Sequence, residues 1–538
     1  MPFLLFAQSR RKKALAEQKA KEEINATIKS HVQFLASDIL EGRRTGSHGE
    51  EMAMNYLINQ YKLAGIAAGT ENGYIQQFDI NEGKQINEST QLIINEKEAI
   101  LNVDYFPLAY SANKSVKSFV AMSLNERGNI WFKDAKEIIE DNQDNPHFDM
   151  DDFLKKYTIK ASSKGATALI IYNSSQTNDN IHFNKFDTST IAPIPVIYLT
   201  NSGKDSFFRD NTAMQKVTVS VSMTPKFRTA RNVVAFINNN ASNTIVIGAH
   251  YDHLGYGEDK DALDTGHIIH NGADDNASGT AALIELAKKL NTSQARHNNY
   301  LFIHFSAEEL GLLGSKYWIK HPSIKIIPNY MINMDMVGRY DTTRKLMVGG
   351  YGTSPKWGSI LPSIQNKNLL IRYDSSGMGP SDHASFYLDS VPVLFFFTGI
   401  HADYHKASDD WDKLNYDGER EIINYIFQVI NATDDKGKIS FSRTRESNNS
   451  SSPHFTVTLG VIPDYSFTGI GVRIDGTVSG KQAEKIGLLS GDILIQLGEF
   501  RFADLNHYME TLGKFKKGDS TKLIIKRKEE EKVFDIHF

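Results

Sequence analysis

The sequence predicts an α/β protein built on a mostly parallel-core, mixed sheet covered by helices, with a β-rich insertion and a small α+β domain at its C-terminal end. Three observations support this fold class. From Arg231 to residue 432, apolar strand-like runs alternate with helical patterns, which is typical of a parallel sheet covered on both faces. Residues 101–226 carry mainly short strand-like runs, and residues 454–538 carry such runs with one helical pattern.

Length and composition describe an ordinary multidomain protein. With about 150 residues per domain as a guide, the 538 residues suggest about three to four domains. Hydrophobic residues make up 40%, charged residues 23%, and the formal net charge is -4, so no basic excess indicates a nucleic-acid partner. The chain has no cysteine, so any bound zinc must be held by His, Asp and Glu.

The first residues resemble part of an export signal. Residues 2–7 read P-F-L-L-F-A and are followed by Gln8 and Ser9, like the end of an apolar signal region and its cleavage site. A plain apolar segment is the alternative. We expect residues 1–22 to form an N-terminal segment, helical by propensity from residue 10, and the protein to be exported, either periplasmic or extracellular. No run reaches the roughly 20 apolar residues of a membrane-spanning helix, so no integral membrane segment is expected.

Residues 23–100 and 227–435 are predicted to form one domain, interrupted by the insertion. Its first part carries two amphipathic helical patterns on either side of the loop L-E-G-R-R-T-G-S. The apolar residues at helical spacing are Val32, Leu35, Ile39, Met54, Leu57, Ile58 and Tyr61. Strand-like runs such as Y-I-Q-Q-F-D-I and Q-L-I-I-N follow.

The insertion, residues 101–226, is predicted to be rich in strands. It contains S-F-V-A-M-S-L, an apparent helix from Asp151 to Tyr157, the buried runs K-G-A-T-A-L-I-I-Y-N and A-P-I-P-V-I-Y-L-T, and a strand from Lys216 to Met223. Its sequence contains no cluster of His, Asp and Glu that resembles a set of metal ligands.

The second part of the interrupted domain alternates strands and helices. The predicted strands are V-V-A-F-I, T-I-V-I-G-A, Y-L-F-I-H-F, Y-M-I-N-M-D and V-P-V-L-F-F-F. The predicted helices cover residues 277–290, 309–320, 354–366 and 418–432. Residues 436–453 then form a polar, Ser/Asn-rich linker, and residues 454–538 a small domain with a helix near Asp504 to Leu512.

Acids and imidazoles follow five successive connections of the predicted sheet. They are His250, Asp252 and His253; Asp274 and Asp275; Glu308 and Glu309; Asp335; and His401, Asp403 and His405. A single residue of this kind is more often structural or solvated. Because ligand sites in such sheets lie at the carboxyl ends of the strands, the recurrence predicts that these side chains converge on one site.

The mixture of residue types indicates a metal site. Carboxylates and imidazoles without thiolates are typical of catalytic rather than structural zinc, and five or so ligands can accommodate two ions that share a carboxylate. Asp252 lies two residues after His250, so its carboxylate is expected to hold that imidazole by its second nitrogen. Glu308 and Glu309 would diverge by about 100° at a helix start, so one should bind metal and the other move protons. Pairing of both with the helix dipole is the structural alternative.

The ordered motifs resemble those of the M28 peptidases, the zinc aminopeptidase family that also includes glutamate carboxypeptidases. The similar stretches, within about 31–100 and 227–432, are A-H-Y-D-H-L-G, G-A-D-D-N-A-S-G, F-S-A-E-E-L-G-L-L-G-S, N-M-D-M-V-G, S-D-H-A-S-F and Y-H-K-A-S-D-D. Residues 101–226 resemble a protease-associated (PA) domain, best in K-G-A-T-A-L-I-I-Y-N. The tail resembles a PDZ domain in T-L-G-V, G-I-G-V-R-I-D-G-T-V and A-E-K-I-G-L-L-S-G-D-I-L-I-Q-L-G.

The resemblance implies a role for each matching residue. The implied zinc ligands are Asp275 as the bridge, His250 and Asp335 for one zinc, and Glu309 and His405 for the other. Glu308 would be the general base and Asp252 the partner of His250, and the peptide bond after Asp275 is often cis in the family. Lys406 stands where the family usually has threonine, which leaves the neighbouring substrate wall undefined.

The resemblance also implies an activity. A zinc-dependent exopeptidase is expected, most commonly an aminopeptidase that hydrolyses N-terminal residues of peptides with water activated by two zinc ions. The alternatives within the family are a carboxypeptidase and a single-zinc glutaminyl cyclase, and a non-catalytic peptide-binding protein is the alternative of another class. The PDZ-like tail could bind a peptide C-terminus beside Thr458 to Val461, or serve only as a structural cap.

Overall fold

The chain forms two compact units. A computed structural model describes residues 2–142, 148–175, 177, 179, 181–258, 262–264, 266–341, 345–444, 457–463, 467, 469–477, 481–528 and 530–538. One unit comprises Met1–Asp79 and Thr229–Phe538, and the other comprises Ile80–Arg228.

Most predicted helices are present, some with different bounds. The helices in the described residues, predicted or not, are α1 (Pro2–Leu35), α2 (His48–Leu63), α3 (Lys136–Asp141), α4 (Met150–Ser163), α5 (Asn201–Phe207), α6 (Gly279–Asn291), α7 (Leu313–Lys320), α8 (Trp357–Ile360), α9 (His383–Leu388), α10 (Tyr416–Thr433), α11 (Gln482–Lys485) and α12 (Leu505–Leu512). The helix predicted at 354–366 is limited to α8, followed by a 3₁₀ turn that contains Pro362. Across the described part of the chain, no helix combines the length and apolar character needed to cross a bilayer.

The strands follow the apolar runs of the sequence. In the described residues they are β1 (Ala67–Ala68), β2 (Ile75–Ile86), β3 (Gln91–Ile94), β4 (Lys97–Glu98), β5 (Tyr105–Pro107), β6 (Ser115–Val120), β7 (Ile130–Asp134), β8 (Ala168–Tyr172), β9 (Val196–Leu199), β10 (Gln215–Ser220), β11 (Met223–Ile237), β12 (Thr244–His250), β13 (Asn299–Phe305), β14 (Pro328–Met334), β15 (Leu346–Gly349), β16 (Ile371–Tyr373), β17 (Val393–Phe397), β18 (Val461–Pro463), β19 (Val472–Thr477), β20 (Ile493–Leu497), β21 (Phe500–Arg501), β22 (Ser520–Arg527) and β23 (Glu530–His537).

The largest sheet is mixed and has a parallel centre. Its order is β1–β11–β13–β12–β14–β17–β15–β16, with β2 also paired to β11. Strands β13, β12, β14 and β17 run parallel, whereas β11 and β15 join them antiparallel. The predicted mixed α/β sheet with a parallel core is therefore confirmed.

Helices cover both faces of this sheet. On β12, Ile245 and Ile247 pack into a core with residues of α1, α2, α6 and α10, while Val246 packs into a second core with Trp318 of α7 and Phe386 of α9. Because both faces are covered, every residue of β12 is buried. This explains why the run T-I-V-I-G-A is apolar throughout instead of alternating.

The unit Ile80–Arg228 begins before the predicted insertion boundary at residue 101. It contains the antiparallel sheet β4–β3–β10–β6 and the mixed sheet β5–β9–β8–β7. The earlier start arises because β3 pairs with β10, so residues 91–94 join this unit instead of the interrupted domain. Pairing between strands so far apart in sequence leaves no local pattern.

The C-terminal residues have a sheet and a core of their own. The sheet order is β18–β19–β20–β22–β23, with β21 on β20. Its core includes Leu459, Ile474, Leu494, Leu523 and Ile536. Helix α12 lies where the sequence predicted one, near 504–512. The Ser/Asn-rich end of the predicted linker, 445–453, and residues 454–456 lie outside the described residues.

Glu50 of α2 provides a test of how burial affects stability. Its side chain is fully buried, accepts hydrogen bonds from the Gly46 N–H and the Ser306 hydroxyl, and burial raises its pKa to about 8 from 4.5. The folded state therefore holds this proton more tightly than the unfolded state. The free energy of unfolding should fall as the pH rises from about 4.5 towards 8, by up to about 1.4 kcal/mol per pH unit from this group.

Replacing Glu50 with Gln should remove that part of the pH dependence. Urea unfolding at several pH values between about 5 and 8 would measure it, with Glu51→Gln, an exposed neighbour, as the matched control. Parallel pH profiles for wild type and Glu50→Gln would contradict the expectation.

Candidate metal centre

The carboxyl end of the parallel strands gathers the predicted donor groups. His250 ends β12, Asp335 follows β14, and the loop after β17 carries His405. Asp275 lies in the turn Ala273–Ser278 that leads into α6. A turn after β13 carries Glu308 and Glu309. Each rigid strand thus places a donor, and the loops between them complete the set.

The two carboxylate oxygens of Asp275 face two different imidazoles. His250 Nε2 lies 3.4 Å from Asp275 Oδ1 and 3.3 Å from Asp335 Oδ1. His405 Nε2 lies 3.2 Å from Asp275 Oδ2 and 3.4 Å from Glu309 Oε2. The five residues therefore form two groups that share Asp275.

The spacing of these donors fits zinc. Bonds of about 2.0–2.1 Å in a tetrahedron put neighbouring donors about 3.3–3.4 Å apart. The four imidazole–carboxylate distances above lie between 3.2 and 3.4 Å. Glu308 Oε2 is 3.9 Å from His250 Nε2, outside this spacing, so it stands beside the donor group of His250 instead of in it.

Buried negative charge dominates the site. Burial and the neighbouring carboxylates raise the pKa of Glu308 well above its usual value. Burial opposes a charge on His250, but Glu308 and Asp335 raise its pKa well above normal. Burial would raise the pKa of Asp275, yet hydrogen bonds from His250 and His405 hold it well below its usual range. Bound cations would compensate such a concentration of carboxylates.

Asp252 contacts His250 differently from the prediction. The His250 Nδ1 lies 3.2 Å from the backbone oxygen of Asp252 and 3.8 Å from its carboxylate. The carboxylate instead accepts the Glu308 N–H at 3.1 Å and the Thr45 hydroxyl at 2.9 Å. The strand ends at His250, so the two-residue alternation assumed for Asp252 no longer applies. Asp252 thus fixes the backbone of Glu308.

Glu308 and Glu309 do not begin a helix. Helix α7 begins at Leu313, because Ala307, Gly311 and Leu312 have positive φ angles of 58°, 101° and 60°. The backbone N–H groups of Gly311 and Leu312 both donate to the backbone oxygen of Glu308, which forms a tight turn. The predicted helix at 309–320 therefore starts later, and the turn, not a helix, separates the two carboxylates.

Asp274 hydrogen-bonds to neighbouring loop residues and does not belong to the donor set. Its Oδ1 accepts hydrogen bonds from the Gly338 N–H and the Ser278 hydroxyl, and its Oδ2 lies 3.2 Å from His401 Nε2. The peptide bond between Asp275 and Asn276 is cis, as the resemblance implied. Asp403 also lies outside the donor set, paired with Arg339 and Lys413.

A cavity of about 310 Å³ adjoins the loop that carries His405. Its lining residues are Arg339, Tyr340, Asp341, His401, Ala402, Asp403, Lys413 and Asn415.

Asp409 and Arg43 received no role from the sequence, and His253 was expected at the site without a specific role. Asp409 accepts the N–H groups of Asp274 and Asp275 at 2.8 and 3.1 Å. Arg43, fully buried, donates to the backbone oxygens of Tyr251, Leu35, Asn271 and Gly272. His253 contacts Glu309. The sequence signals were the loop L-E-G-R-R-T-G-S for Arg43, the first Asp of S-D-D for Asp409, and the second His of H-Y-D-H for His253.

The match with a known protein family lies over this site. Residues 232–430 match Peptidase family M28. That stretch contains Glu308 and the five donors, so the site lies within the part of the chain that is similar to this peptidase family. The predicted resemblance is confirmed for this stretch, whereas the PA-like and PDZ-like assignments stay predictions.

Individual relatives are similar over part of the chain. Aminopeptidase YwaD of Bacillus subtilis is 26% identical over 274 residues, 47% of this chain and 54% of the relative. Probable lipoprotein aminopeptidase LpqL of Mycobacterium tuberculosis is 27% identical over 271 residues, 46% of this chain and 49% of the relative. The chain thus spans about half the length of these curated relatives.

Solved structures show a distant likeness. BSAP, a zinc aminopeptidase from Bacillus subtilis, is 17% identical with a TM-score of 0.42, covering 77% of this chain and 95% of that one. An aminopeptidase from Aneurinibacillus sp. strain AM-1 is 22% identical with a TM-score of 0.40, covering 78% and 95%.

The shared carboxylate can be tested by a pair of variants. Asp335→Asn should abolish tight binding of one zinc, whereas Asp275→Asn should weaken both, because only Asp275 faces both imidazoles. Each loss of zinc affinity should exceed the roughly 10- to 100-fold loss that is typical when a hydrogen-bond partner of a ligand is removed. Zinc per chain, measured by plasma mass spectrometry after dialysis against a weak chelator, gives the result. An Asp275→Asn protein that keeps two zinc ions would contradict the shared role.

Proposed function

We propose that the chain is a zinc-dependent exopeptidase, and specifically an aminopeptidase. The observation that carries this proposal is the division of the Asp275 carboxylate between His250 and His405, with the Glu308 carboxylate next to the first group. The family match supports hydrolysis of peptide bonds. The relatives named as aminopeptidases favour cleavage at the N-terminal end.

The proposed ligands divide into the two groups of the donor set. His250 and Asp335 would hold one zinc, Glu309 and His405 the other, and Asp275 would serve both. When bound, zinc ions lower the pKa of coordinated water and polarise the substrate carbonyl.

Glu308 would move the proton. Its Oε2 would accept a proton from the attacking water and return it to the amine that leaves. The turn after β13 fixes the residue, since its N–H donates to Asp252 and its carbonyl accepts two N–H groups. Asp252 in turn is held by Thr45. The backbone that carries the base is thus fixed before substrate arrives.

The recessed position of the site supports action on chain ends. Glu308, Asp335 and His405 each expose 8% of their surface, and Asp275 exposes 4%. Side chains this little exposed are more easily reached by the end of a peptide than by the middle of a folded chain.

The base can be separated from the ligands by one matched pair of variants. Glu308→Gln should bind two zinc ions and lose about 100- to 10,000-fold in kcat, because an amide cannot accept the proton. Glu309→Gln should instead lose zinc. Bound zinc and kcat on an aminoacyl-nitroanilide give both values. Near-normal turnover by Glu308→Gln would refute its role. A wild type that binds zinc but hydrolyses no peptide would instead favour a non-catalytic peptide-binding protein.

Substrate ends decide between the branches of the family. Peptides with a free amino end and a blocked carboxyl end should be hydrolysed, and their N-acetylated counterparts with a free carboxyl end should not. The opposite preference would identify a carboxypeptidase. Ammonia release from a peptide that begins with glutamine, together with about one zinc per chain, would identify a cyclase.

We further propose roles for the remaining parts. Residues 101–226 would be a PA-like insertion and 454–538 a PDZ-like domain that binds the C-terminus of a peptide. The position of β18 at one end of its sheet supports strand addition there. Export is proposed from the sequence P-F-L-L-F-A, and the lipoprotein name of one relative is in keeping with it.

A further inference from the structure

We infer that His253 is a positioning residue for Glu309, and that its Nδ1–H holds Glu309 Oε1 so that Oε2 is the oxygen offered to zinc. His253 Nδ1 lies 2.7 Å from Glu309 Oε1. His405 Nε2 lies 3.4 Å from Glu309 Oε2. The two oxygens of one carboxylate thus have two different partners. This inference rests on the zinc pair of the proposed function.

The distances distinguish a hydrogen bond from shared metal binding. Two donors of one tetrahedral zinc stand about 3.3–3.4 Å apart, given bonds of about 2.0–2.1 Å. The four imidazole–carboxylate pairs of the proposed ligands have that spacing, from 3.2 to 3.4 Å. The 2.7 Å between His253 and Glu309 is too short for it and is normal for a charge-assisted hydrogen bond.

His253 is the competing candidate for an imidazole ligand, because its donor lies within 4.8 Å of those of Asp275 and Glu309. His405, however, already faces both carboxylates at ligand spacing. Since an ionised carboxylate only accepts hydrogen bonds, the proton of the short contact must lie on Nδ1. A ring that donates through Nδ1 cannot offer that nitrogen to a metal.

The surroundings keep the ring in place. The side chain of His253 is fully buried, and the backbone N–H of this residue donates to the backbone oxygen of Arg43 at 3.2 Å. Gly272 has a φ of 55°, and a Cβ there would lie 2.4 Å from the ring atom Cδ2, so the ring packs directly on this glycine. Its Nε2 has no hydrogen-bond partner among the described residues. The contact with Glu309 is therefore the polar contact that the ring makes at this site.

The role explains how neighbouring glutamates receive different tasks. Glu309 is restrained by His253 at one oxygen and meets His405 at the other. Glu308 has its backbone fixed by Asp252, and its Oε2 lies 3.9 Å from His250. Ligating carboxylates are commonly oriented by such outer hydrogen bonds, and losing one typically costs about 10- to 100-fold in metal affinity.

Three variants of His253 separate a donated hydrogen bond from packing. In His253→Asn, the amide nitrogen can take the place of Nδ1–H. His253→Leu has nearly the shape of Asn without a donor, and His253→Gln carries its amide one atom too far along the chain. Zinc affinity of the full chain, by competition with a chromophoric chelator, is the measurement. Thermal unfolding of each metal-free protein shows whether it is folded.

The wild type should bind two zinc ions, and His253→Asn should bind both with near wild-type affinity. His253→Leu and His253→Gln should keep one tight zinc and bind the other about 10- to 100-fold more weakly. Equal weakening in all three variants, or none in any, would overturn the inference and leave the proposed function intact. A folded wild type that binds fewer than two zinc ions would overturn the proposed function itself, and this inference with it.

Discussion

Buried negative charge around Asp275 is the constraint on which this structure depends. Asp275, Glu308 and Asp335 are nearly inaccessible to water, and the fully buried Asp252 lies beside them. Burying a carboxylate is costly unless it is paired or hydrogen-bonded. The chain meets this cost with the imidazoles of His250 and His405. The fold therefore has to hold several carboxylates together, which an apolar core alone would never favour.

Two kinds of element satisfy that constraint. The parallel strands, buried on both faces, provide fixed ends for His250 and Asp335. The loops provide the remaining donors and are themselves tied down by hydrogen bonds. Asp409 accepts the N–H groups of Asp274 and Asp275 within the turn, and Arg43 donates to the backbone oxygens of Asn271 and Gly272 just before it. Hydrogen bonds thus fix the irregular segments that carry donors, in addition to the strands.

Pairs of identical neighbours show how far position outweighs residue type. Asp274 and Asp275 are both buried, but one caps the loop of Gly338 while the other faces two imidazoles. Glu308 and Glu309 likewise have separate partners. The positive φ angles that interrupt the backbone before α7 create this difference, because a helix would have set the two side chains by its own rotation.

The sequence by itself determined the strands, most helices and the residues of the candidate site. Apolar runs and the recurrence of acids and imidazoles after them are local signals, and they marked the candidate residues. The resemblance to M28 peptidases then implied His250, Asp275, Glu309, Asp335 and His405 as the ligands among them. Only the tertiary structure decided that β3 belongs to the unit beginning at Ile80, that Asp252 holds Glu308, and that His253 contacts Glu309. Each of these depends on segments tens to more than a hundred residues apart meeting with particular side-chain directions. Periodicity describes which face a residue takes within its own element, and it carries no information about the partner it meets there.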